Sequence, residues 1–433
     1  MARLNGFTKK QITEVYRKMA LSRRLDEKML ILLKQGKSFF HIGASGHEAA
    51  QLAAAIMMKP GQDWSFPYYR DGAFCIGLGM TSREQLLSFL AKADDPNSGG
   101  RQMPQHYGHK ALRIVSQSSP TGTQFLQAVG CAMACKMEKS KEVVYVSSGE
   151  GTTSQGDFHE ALNWASNTKA PVIFHIQDNE YAISTHRSEQ TASSIYDITS
   201  GYNNLSRYEV DGSDFFETSL AFKEAVERAR RNKGPSVIVS HVVRLLPHSS
   251  SDDQRKYRDE KALTADQKKD PLVILESTCV SEKLIMPDEF EKIRSQIEKE
   301  VDDDSGWAED QDYPDPNTAM NHIYGDRDNI QESIINPISD KIVIVDSINH
   351  ALHEEMEFNE KMVIYGQDIA DPKGGVFTAT KGLSKRFGAD RVFNSPLAES
   401  SIVGTAVGMA VAGYKPVVEI QFGDYIWTAM MQI

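Results

Sequence analysis

The chain has 433 residues, of which 40% are hydrophobic and 25% are charged, and its formal net charge is −11. This length is enough for two or three domains, and the composition is typical of a soluble globular protein. The acidic balance argues against a nucleic-acid partner, which would require a basic stripe. No apolar run approaches the ~20 residues needed to cross a membrane, and the polar N-terminus predicts that there is no signal peptide.

The cysteines give no indication of a metal site, because none of the spacings among the four matches a metal-ligand motif. Cys131 and Cys135 lie one helical turn apart in an alanine-rich run and are predicted to be core residues. Reduced cysteines without a secretion signal predict a cytoplasmic location.

The first third of the chain predicts helices separated by polar loops. Ile12, Val15 and Met19 have near-helical spacing, which predicts an opening helix. FFHIGASGHEAAQLAAAIMM predicts a loop and then a small-residue helix, and WSFPYYRDG predicts a short strand or turn. Residues 95–115 are rich in Gly, Pro, Gln and His, which predicts a long loop of the kind that is usually functional or disordered. TGTQFLQAVGCAMACKM then predicts a tightly packed helix.

Residues 141–185 form the most informative segment. VVYVSSGEG predicts a strand and an acidic glycine turn, TTSQGDFHEALNWASNT predicts a helix that starts near Thr153, and PVIFHIQDNEYAIST predicts a second strand and polar turn. Ligands of open parallel sheets bind beyond the carboxyl ends of the strands. Both polar turns fall at that edge, so we expect Glu150 and Asn179 to face one site from two sides.

The ligand types in these turns suit Mg²⁺, which prefers carboxylate, amide and carbonyl oxygens and keeps phosphate and water as further ligands. A phosphorylated cofactor is therefore implied. Gly149 and Gly151 allow the backbone to approach a diphosphate closely, and the predicted helix would point its amide end at the same place. The alternative is an ordinary strand–helix–strand unit with an acidic turn.

The rest of the chain predicts further strands and helices in alternation. RYEVDG and SVIVSHVVRLL predict strands on either side of a helix that ends at Gly234. Charged helical sequence continues to about Lys299, and the acidic stretch EVDDDSGWAEDQDYPDPN is interpreted as a solvated connector. A second α/β unit begins near Lys341. We therefore expect an α/β fold with domains at 1–265 and 341–433, joined by a helical and acidic connector at 266–340.

Several segments resemble the thiamine diphosphate-dependent component of 2-oxo acid dehydrogenase complexes, among which the branched-chain (2-oxoisovalerate) enzymes are most similar. GRQMPQHYG, SSPTGTQ, GEG, NEYAISTHRSEQ, VDGSD and HSSSDD resemble the alpha subunit of that family. GGVFTATKGL, RVFNSPLAESSIVG and EIQFGDYIW resemble the start of its beta subunit. The resemblance implies an alpha–beta fusion that stops in mid-domain at Ile433, so we expect the rest of the beta-like half to be cut off or supplied by another chain.

The resemblance implies a thiamine diphosphate-binding fold, with a parallel sheet flanked by helices and the start of a second related α/β domain. It implies Mg²⁺-dependent oxidative decarboxylation of a 2-oxo acid and reductive acylation of the lipoyl group of a dihydrolipoyl acyltransferase. It also implies a homodimer of fused chains. The alternatives are a pyruvate or acetoin dehydrogenase component and a catalytically inactive thiamine-fold subunit. A nicotinamide oxidoreductase is disfavoured because no GxGxxG follows a predicted strand.

The resemblance also implies roles for individual residues. Glu150, Asn179 and the carbonyl of Tyr181 would hold Mg²⁺. Glu399 would hydrogen-bond the aminopyrimidine ring of a cofactor held by another domain, across a dimer interface, and a plain helix N-terminal carboxylate is the alternative. His248 would stabilise intermediates or assist acyl transfer.

The remaining implied contacts are with the cofactor, a monovalent cation and the substrate. Cofactor contacts are implied for Tyr69, Arg70, Ser119, Gly151, Arg244, His248, Gln421 and Tyr425. The two arginines would bind the diphosphate, with surface ion pairing as the alternative. A K⁺ site is implied for Ser118, Pro120, Thr123 and Gln124. Met103 and His106 would line the substrate pocket.

Four further positions qualify the resemblance. Ser249 matches a serine that is phosphorylated in animal relatives, but an ordinary loop serine is the favoured interpretation. Thr121, Gln177 and Tyr68 depart from the family pattern, since they stand where a bulky apolar residue, an arginine and a glutamine are usual. These departures concern cofactor fit and specificity, not the metal ligands.

Overall fold

The structure, a computed structural model, describes residues 5–323 and 341–433. The helices are α1 (Lys9–Lys34), α2 (Glu48–Ala55), α3 (Gly72–Leu78), α4 (Ser82–Phe89), α5 (Thr123–Met137), α6 (Gly156–Thr168), α7 (Ile195–Ile198), α8 (Phe215–Arg230), α9 (Glu260–Gln267), α10 (Pro271–Ser281), α11 (Pro287–Glu309), α12 (Ile344–Phe358), α13 (Leu383–Phe387) and α14 (Glu399–Val411). The strands are β1 (Trp64–Phe66), β2 (Val144–Gly149), β3 (Val172–Asp178), β4 (Tyr181–Ala182), β5 (Thr185–His186), β6 (Ser206–Asp211), β7 (Ser236–His241), β8 (Met362–Gly366), β9 (Val392–Asn394) and β10 (Lys415–Glu419).

A parallel sheet of strand order β1-β2-β3-β7-β6 forms the centre of the molecule. Its inner strands are apolar on both faces, as expected for a parallel sheet covered by helices on both sides. Val144 and Val146 face the layer of α5 and α6, and Tyr145 faces the layer of α1, α2, α3 and α8. The predicted α/β fold class is confirmed.

The opening helix has the predicted apolar stripe, because Ile12, Tyr16 and Met19 are fully buried. Thr8 caps this helix, and its hydroxyl accepts a hydrogen bond from the backbone N–H of Gln11. The Gln11 side chain in turn accepts from the N–H of Thr8, which completes a capping box.

The turn after β2 differs from the prediction. A helix starting near Thr153 was expected, but a 3₁₀ turn spans Glu150–Ser154 and α6 begins at Gly156. The hydroxyl of Thr153 donates to the carbonyl of Glu150 at 2.7 Å and closes this tighter turn. The backbone that follows β2 is thus a 3₁₀ turn instead of an α-helix N-terminus.

Part of the predicted connector belongs to the first core. α11 buries Phe290, Ile297 and Val301 against α1 and α4. The interpretation of the acidic stretch as solvated is therefore wrong up to Glu309, since the apolar residues of this stretch follow helical spacing. We propose that the first domain extends to the end of α11. Residues 324–340 of the predicted connector lie outside the described residues.

A smaller parallel sheet, of strand order β10-β8-β9, belongs to the second unit. Its helix α14 packs directly on α5 of the first unit, with backbone against backbone. A Cβ added at Gly408 would lie 1.8 Å from the carbonyl oxygen of Gln127, and one at Gly130 would lie 1.9 Å from that of Thr405. Only glycine allows this approach, which joins Tyr365 and Ile402 to the core of the first unit.

The four cysteines are buried as free thiols, which agrees with the core assignment of Cys131 and Cys135. Among residues 5–323 and 341–433, no helix is long and apolar enough to cross a membrane.

Candidate active site

A cleft of about 270 Å³ opens at the carboxyl edge of the large sheet. The segments that follow β1, β2 and β3 meet there, as predicted for ligand sites of parallel sheets. The cleft is lined by Tyr68, Tyr69, Arg70, Thr121, Gly149, Glu150, Gly151, Thr152, Asn179, Tyr181, Ala182, Ile183 and His248.

The three predicted metal ligands lie together in this cleft. Glu150 is 2% exposed and Asn179 is 7% exposed. The backbone N–H of Asn179 donates to Oε2 of Glu150 at 3.2 Å, which fixes the two turns against each other. A Cβ on Gly151 would lie 2.4 Å from the Cβ of Ala182, so the turn after β2 packs against the residue that follows Tyr181. Carboxylate, amide and carbonyl oxygens therefore share one small space.

The electrostatics of this space fit a cation. Burial, followed by the charge of the neighbouring Asp178, raises the pKa of Glu150 to about 7. A divalent ion would favour the ionised carboxylate. The described part of the chain holds no cluster of three or more His, Cys, Asp or Glu residues suited to a metal. A metal here would take one carboxylate from the chain and would need further oxygens, as Mg²⁺ bound to a diphosphate has.

Two arginines supply positive charge beside these oxygens. Arg70 and Arg244 are 2% and 1% exposed, and the hydrogen bonds of both among the described residues go to groups other than carboxylates. The alternative of surface ion pairing is therefore wrong. Arg70 donates to the carbonyl of Gly43 at 2.7 Å, and Arg244 donates to that of Ile183 at 3.1 Å. Nε of Arg244 is buried without any partner. Buried cationic groups without an anion are costly, so this arrangement fits an anionic ligand such as a diphosphate.

His248 lies against the same arginines. Arg70 donates to the carbonyl oxygen of His248 at 3.2 Å, and the rings of Tyr69 and His248 are 5.9 Å apart. Burial, followed by the charges of Arg70 and Arg244, lowers the pKa of His248 to about 3. The imidazole is therefore neutral at pH 7, with one nitrogen that donates and one that accepts.

The residues predicted for K⁺ lie in a compact turn before α5. Ser118 donates through its hydroxyl to Oγ1 of Thr123 at 2.7 Å, and Thr123 donates to the carbonyl of Pro120 at 2.5 Å. Gln124 donates from Nε2 to the carbonyl of Ser147 at 3.0 Å. Oxygens are plentiful here, and these hydroxyls are engaged with one another.

Of the two residues predicted for the substrate, neither lines the cleft, and His106 contacts another predicted residue outside it. Nε2 of His106 lies 2.8 Å from the hydroxyl of Ser119, the residue predicted next to the cofactor. Met103 is 48% exposed and lies on the surface of its loop. Ser249 is buried, and its hydroxyl lies 3.0 Å from that of Ser251.

Glu399 does not join the cleft within one chain. It lines a separate cavity of about 500 Å³ at the N-terminus of α14. Its Oε1 accepts a hydrogen bond from Gln367 at 3.1 Å, and its Oε2 accepts one from Thr428 at 3.2 Å. Gln421 donates to the carbonyl of Gln367 at 3.2 Å, and Tyr425 is 43% exposed nearby in sequence. The predicted pyrimidine-side residues thus form a second cluster, at the carboxyl edge of the small sheet.

One buried residue beside the cleft, His47, was missed by the sequence analysis, and a second, Gln177, was noted there only as a departure from the family pattern. His47 contacts Asn179 and Gln177, and all three are nearly inaccessible. Burial and the charge of Arg70 hold the pKa of His47 well below its ordinary value. Gln177 faces this buried network and does not line the cleft. The only local signal was a histidine immediately before a helix of small residues, which is common in ordinary cores.

Comparison with known proteins agrees with this geometry. The family described as "Dehydrogenase E1 component" matches residues 16–317, and that described as "Transketolase, pyrimidine binding domain" matches residues 340–433. The predicted succession of an alpha-like and a beta-like region is confirmed.

Individual relatives cover most of the first region. The chain is 42% identical over 321 residues to the 2-oxoisovalerate dehydrogenase subunit alpha of Bacillus subtilis (strain 168). The aligned region covers 74% of this chain and 97% of that protein. It is 35% identical over 267 residues to the pyruvate dehydrogenase E1 component subunit alpha of Staphylococcus aureus (strain Mu50 / ATCC 700699), covering 61% and 69% of the two chains. A 2-oxoisovalerate dehydrogenase subunit alpha of Pseudomonas aeruginosa is 33% identical over 295 residues, covering 67% and 71%.

Proposed function

Because the chain belongs to the dehydrogenase E1 component family of 2-oxo acid dehydrogenases and continues into a transketolase-type pyrimidine-binding domain, we propose that it decarboxylates a branched-chain 2-oxo acid with thiamine diphosphate and Mg²⁺. The acyl group would pass reductively to the lipoyl group of a dihydrolipoyl acyltransferase. The 42% identity to a 2-oxoisovalerate dehydrogenase alpha subunit favours a branched-chain substrate.

One observation carries the metal and cofactor part of this proposal. Glu150, Asn179 and Tyr181 offer three kinds of oxygen in a cleft that Arg70 also lines, and the guanidinium of Arg244 lies 3.4 Å from the carbonyl oxygen of Tyr181. Oxygen ligands for a metal therefore lie beside guanidinium groups for phosphates, and a metal–diphosphate pair needs both.

Each residue has a defined task in the proposed reaction. Glu150, Asn179 and the carbonyl of Tyr181 would hold the metal, and Arg70 and Arg244 would orient the phosphates. The bound cofactor would supply the electron sink that decarboxylation requires.

The neutral imidazole of His248, which lines the cleft, would accept or donate a proton there. His106 and Ser119 would form the wall before α5. Met103 would reach the substrate only if its loop changes position. The turn of Ser118 to Gln124 would order this wall with K⁺.

The acid for the pyrimidine ring would come from a second copy of the chain. Glu399 lines a cavity of its own instead of the cleft around Glu150, and Gln421 contacts the same Gln367 as Glu399 does. A homodimer that faces one cluster toward the other would bring both ends of one cofactor together. In this arrangement the carboxyl group of Glu399 would hydrogen-bond the aminopyrimidine ring of the cofactor and hold a proton there.

A calorimetric titration with thiamine diphosphate, in Mg²⁺ and in EDTA, tests the proposal. We expect binding that depends on the metal and is lost in Glu150→Gln, which keeps the shape of the side chain and removes its charge. Glu227→Gln is the matched control, since Glu227 lies on α8, outside the cleft, with half of its side chain exposed. Equal affinity in EDTA, or equal loss in both variants, would contradict the assigned metal site.

The identity to a pyruvate dehydrogenase alpha subunit supports pyruvate as a second candidate substrate. Rates of decarboxylation across a panel of branched and unbranched 2-oxo acids distinguish the two. A catalytically inactive thiamine-fold subunit would bind the cofactor and turn over none of the panel.

A further inference from the structure

The side-chain amide of Asn179 can point in either of two ways, and the groups around it decide which end faces the proposed metal. An amide offers an oxygen at one position and an NH₂ group at the other, and only the oxygen can bind a cation. In this chain the side-chain Nδ2 of Asn179 lies 3.4 Å from Nε2 of His47, and Oδ1 accepts a hydrogen bond from the N–H of Tyr181 at 3.3 Å.

The ring of His47 can accept from Asn179 only in one tautomer. Nε2 must carry no hydrogen, and in a neutral imidazole the hydrogen then sits on Nδ1. Nδ1 lies 2.8 Å from Oε1 of Gln177. The tautomer therefore depends on whether Gln177 presents an acceptor at that position.

Gln177 is oriented by Gln51, whose own amide is fixed by two backbone groups. The N–H of Ala73 donates to Oε1 of Gln51 at 3.1 Å, and Nε2 of Gln51 donates to the carbonyl of Arg70 at 3.0 Å. Backbone groups cannot exchange donor for acceptor. Nε2 of Gln51 also lies 2.9 Å from Oε1 of Gln177, so the atom that faces both Gln51 and His47 must be an oxygen.

Asp71 supports the same orientation from the other side of Gln177. Nε2 of Gln177 donates to Oδ1 of Asp71 at 2.5 Å. Reversing the Gln177 amide would place its NH₂ group against the NH₂ group of Gln51 and leave Asp71 without this donor.

Among the described residues, the hydroxyl of Tyr68 offers a competing arrangement. It lies 3.4 Å from both Nδ1 of His47 and Oε1 of Gln177. If it donated to Nδ1, that nitrogen would carry no hydrogen and would face the oxygen of Gln177 at 2.8 Å, acceptor against acceptor. The opposite ring N–H would then face the NH₂ group of Asn179. Donation from Tyr68 to Gln177 avoids both conflicts.

We propose that His47, held as the Nδ1–H tautomer by Gln177, is a positioning residue that turns Oδ1 of Asn179 toward the metal. This inference rests on the proposed function, because it concerns the same metal. His47, Gln51 and Gln177 are fully buried, so water cannot replace the missing hydrogen bonds. Loss of such a supporting hydrogen bond behind a metal ligand typically weakens metal affinity by ~10- to 100-fold.

Two variants separate the two ring nitrogens. In His47→Gln the side-chain amide reaches the position of Nε2 and can present an oxygen to Asn179. In His47→Asn it reaches only the position of Nδ1 and leaves Asn179 without an acceptor. Mn²⁺ affinity is measured by electron paramagnetic resonance with thiamine diphosphate present. We expect His47→Gln to stay within about threefold of the unmodified chain and His47→Asn to be ~10- to 100-fold weaker.

Thermal unfolding in EDTA shows whether the two variants are equally folded. If His47 had only a structural role, any difference in metal affinity would be accompanied by a difference in stability. Equal Mn²⁺ affinity in both variants would overturn the proposal. Failure of the unmodified chain to bind Mn²⁺ would instead contradict the proposed function.

The tautomer has its own readout, which needs neither metal nor activity. A long-range ¹H–¹⁵N spectrum of the unmodified chain reports which nitrogen of His47 carries the hydrogen, with the signal assigned by its absence in His47→Gln. Hydrogen on Nδ1 supports the proposal, and hydrogen on Nε2 overturns it even if both variants fold poorly.

Discussion

The proposed cofactor site has two clusters, one around Glu150 and one around Glu399. A single chain completes the first cluster but leaves the second open. Around Glu150 the ligands are buried, mutually hydrogen-bonded and supported by the network behind Asn179. Around Glu399 the carboxylate has two side-chain partners, and its surroundings are open. Leu397 and Trp427 are 83% and 70% exposed there.

This difference indicates where an additional surface is required. Preorganised groups bind a small ion or diphosphate without help, because their orientation is already fixed. Exposed large apolar side chains around a polar cluster are typical of an interaction surface. We therefore expect diphosphate binding to depend on one chain and catalysis to depend on assembly, and the following experiments test that division.

The largest effect is expected at Glu399. Glu399→Ala should lower 2-oxo acid decarboxylation by ~10²- to 10⁴-fold, the usual contribution of a positioned proton-transfer group. Metal-dependent binding of inorganic diphosphate should stay unchanged, since that binding uses the other cluster. Decarboxylation is followed by reduction of an artificial electron acceptor.

Glu355→Ala is the matched control for this variant, because Glu355 is an exposed carboxylate of the same unit, on α12. Unchanged turnover in Glu399→Ala would remove Glu399 from the mechanism. Lost diphosphate binding would show that the two clusters are not independent.

The next effect is expected at Arg244. Arg244→Gln removes a buried charge and should weaken diphosphate affinity by ~10- to 100-fold, the equivalent of one charge-assisted hydrogen bond. Inorganic diphosphate and thiamine diphosphate should lose the same factor, because the contact is with the phosphates. Arg255→Gln serves as control, since the Arg255 side chain is 80% exposed. A loss confined to thiamine diphosphate would place Arg244 near the rings instead.

The sequence allowed the metal turns to be predicted because their information is local. Glu150 and Asn179 each follow a recognisable strand, and the geometry of parallel sheets brings those ends together. The fold class followed from the same alternation of strands and helices. The 3₁₀ turn before Gly156 could not be predicted, since the same residues fit a helix and only the Thr153 hydrogen bond reveals the tighter turn.

The network behind Asn179 was beyond prediction for a different reason. His47 and Gln177 lie 130 residues apart in sequence, and their contact follows from how α2 packs beside β3. Packing also explains the wrong interpretation of residues 300–309. Their acidic composition suggested solvent exposure, but Val301 and Ala308 face the core from one side of α11.

A smaller effect concerns pH and sharpens the account of the buried cluster. The pKa of Glu150, raised to about 7 mainly by burial, means that the metal-free carboxyl is protonated in mild acid. A metal must displace that proton, so metal affinity should rise with pH by up to about tenfold per unit and level off above pH 7. Infrared difference spectra of the metal-free chain against Glu150→Gln report the protonated carboxyl directly. A carboxylate that stays ionised at about pH 5.5 would contradict this prediction.

The smallest effect is expected where the two units touch. Gly408→Ala places a Cβ 1.8 Å from the carbonyl of Gln127, so α14 must move away from α5. We expect a loss of ~1–3 kcal/mol in stability, typical of an overpacked contact. Gly306→Ala is the matched control, because Gly306 lies within α11 with open space around its Cα. Alanine there should raise stability by up to ~1 kcal/mol through helix propensity.

Because α14 begins at Glu399, the displacement of α14 should also lower decarboxylation in Gly408→Ala while metal-dependent diphosphate binding persists. If thermal unfolding and turnover are unchanged, the contact between α5 and α14 is not what holds the second cluster in place.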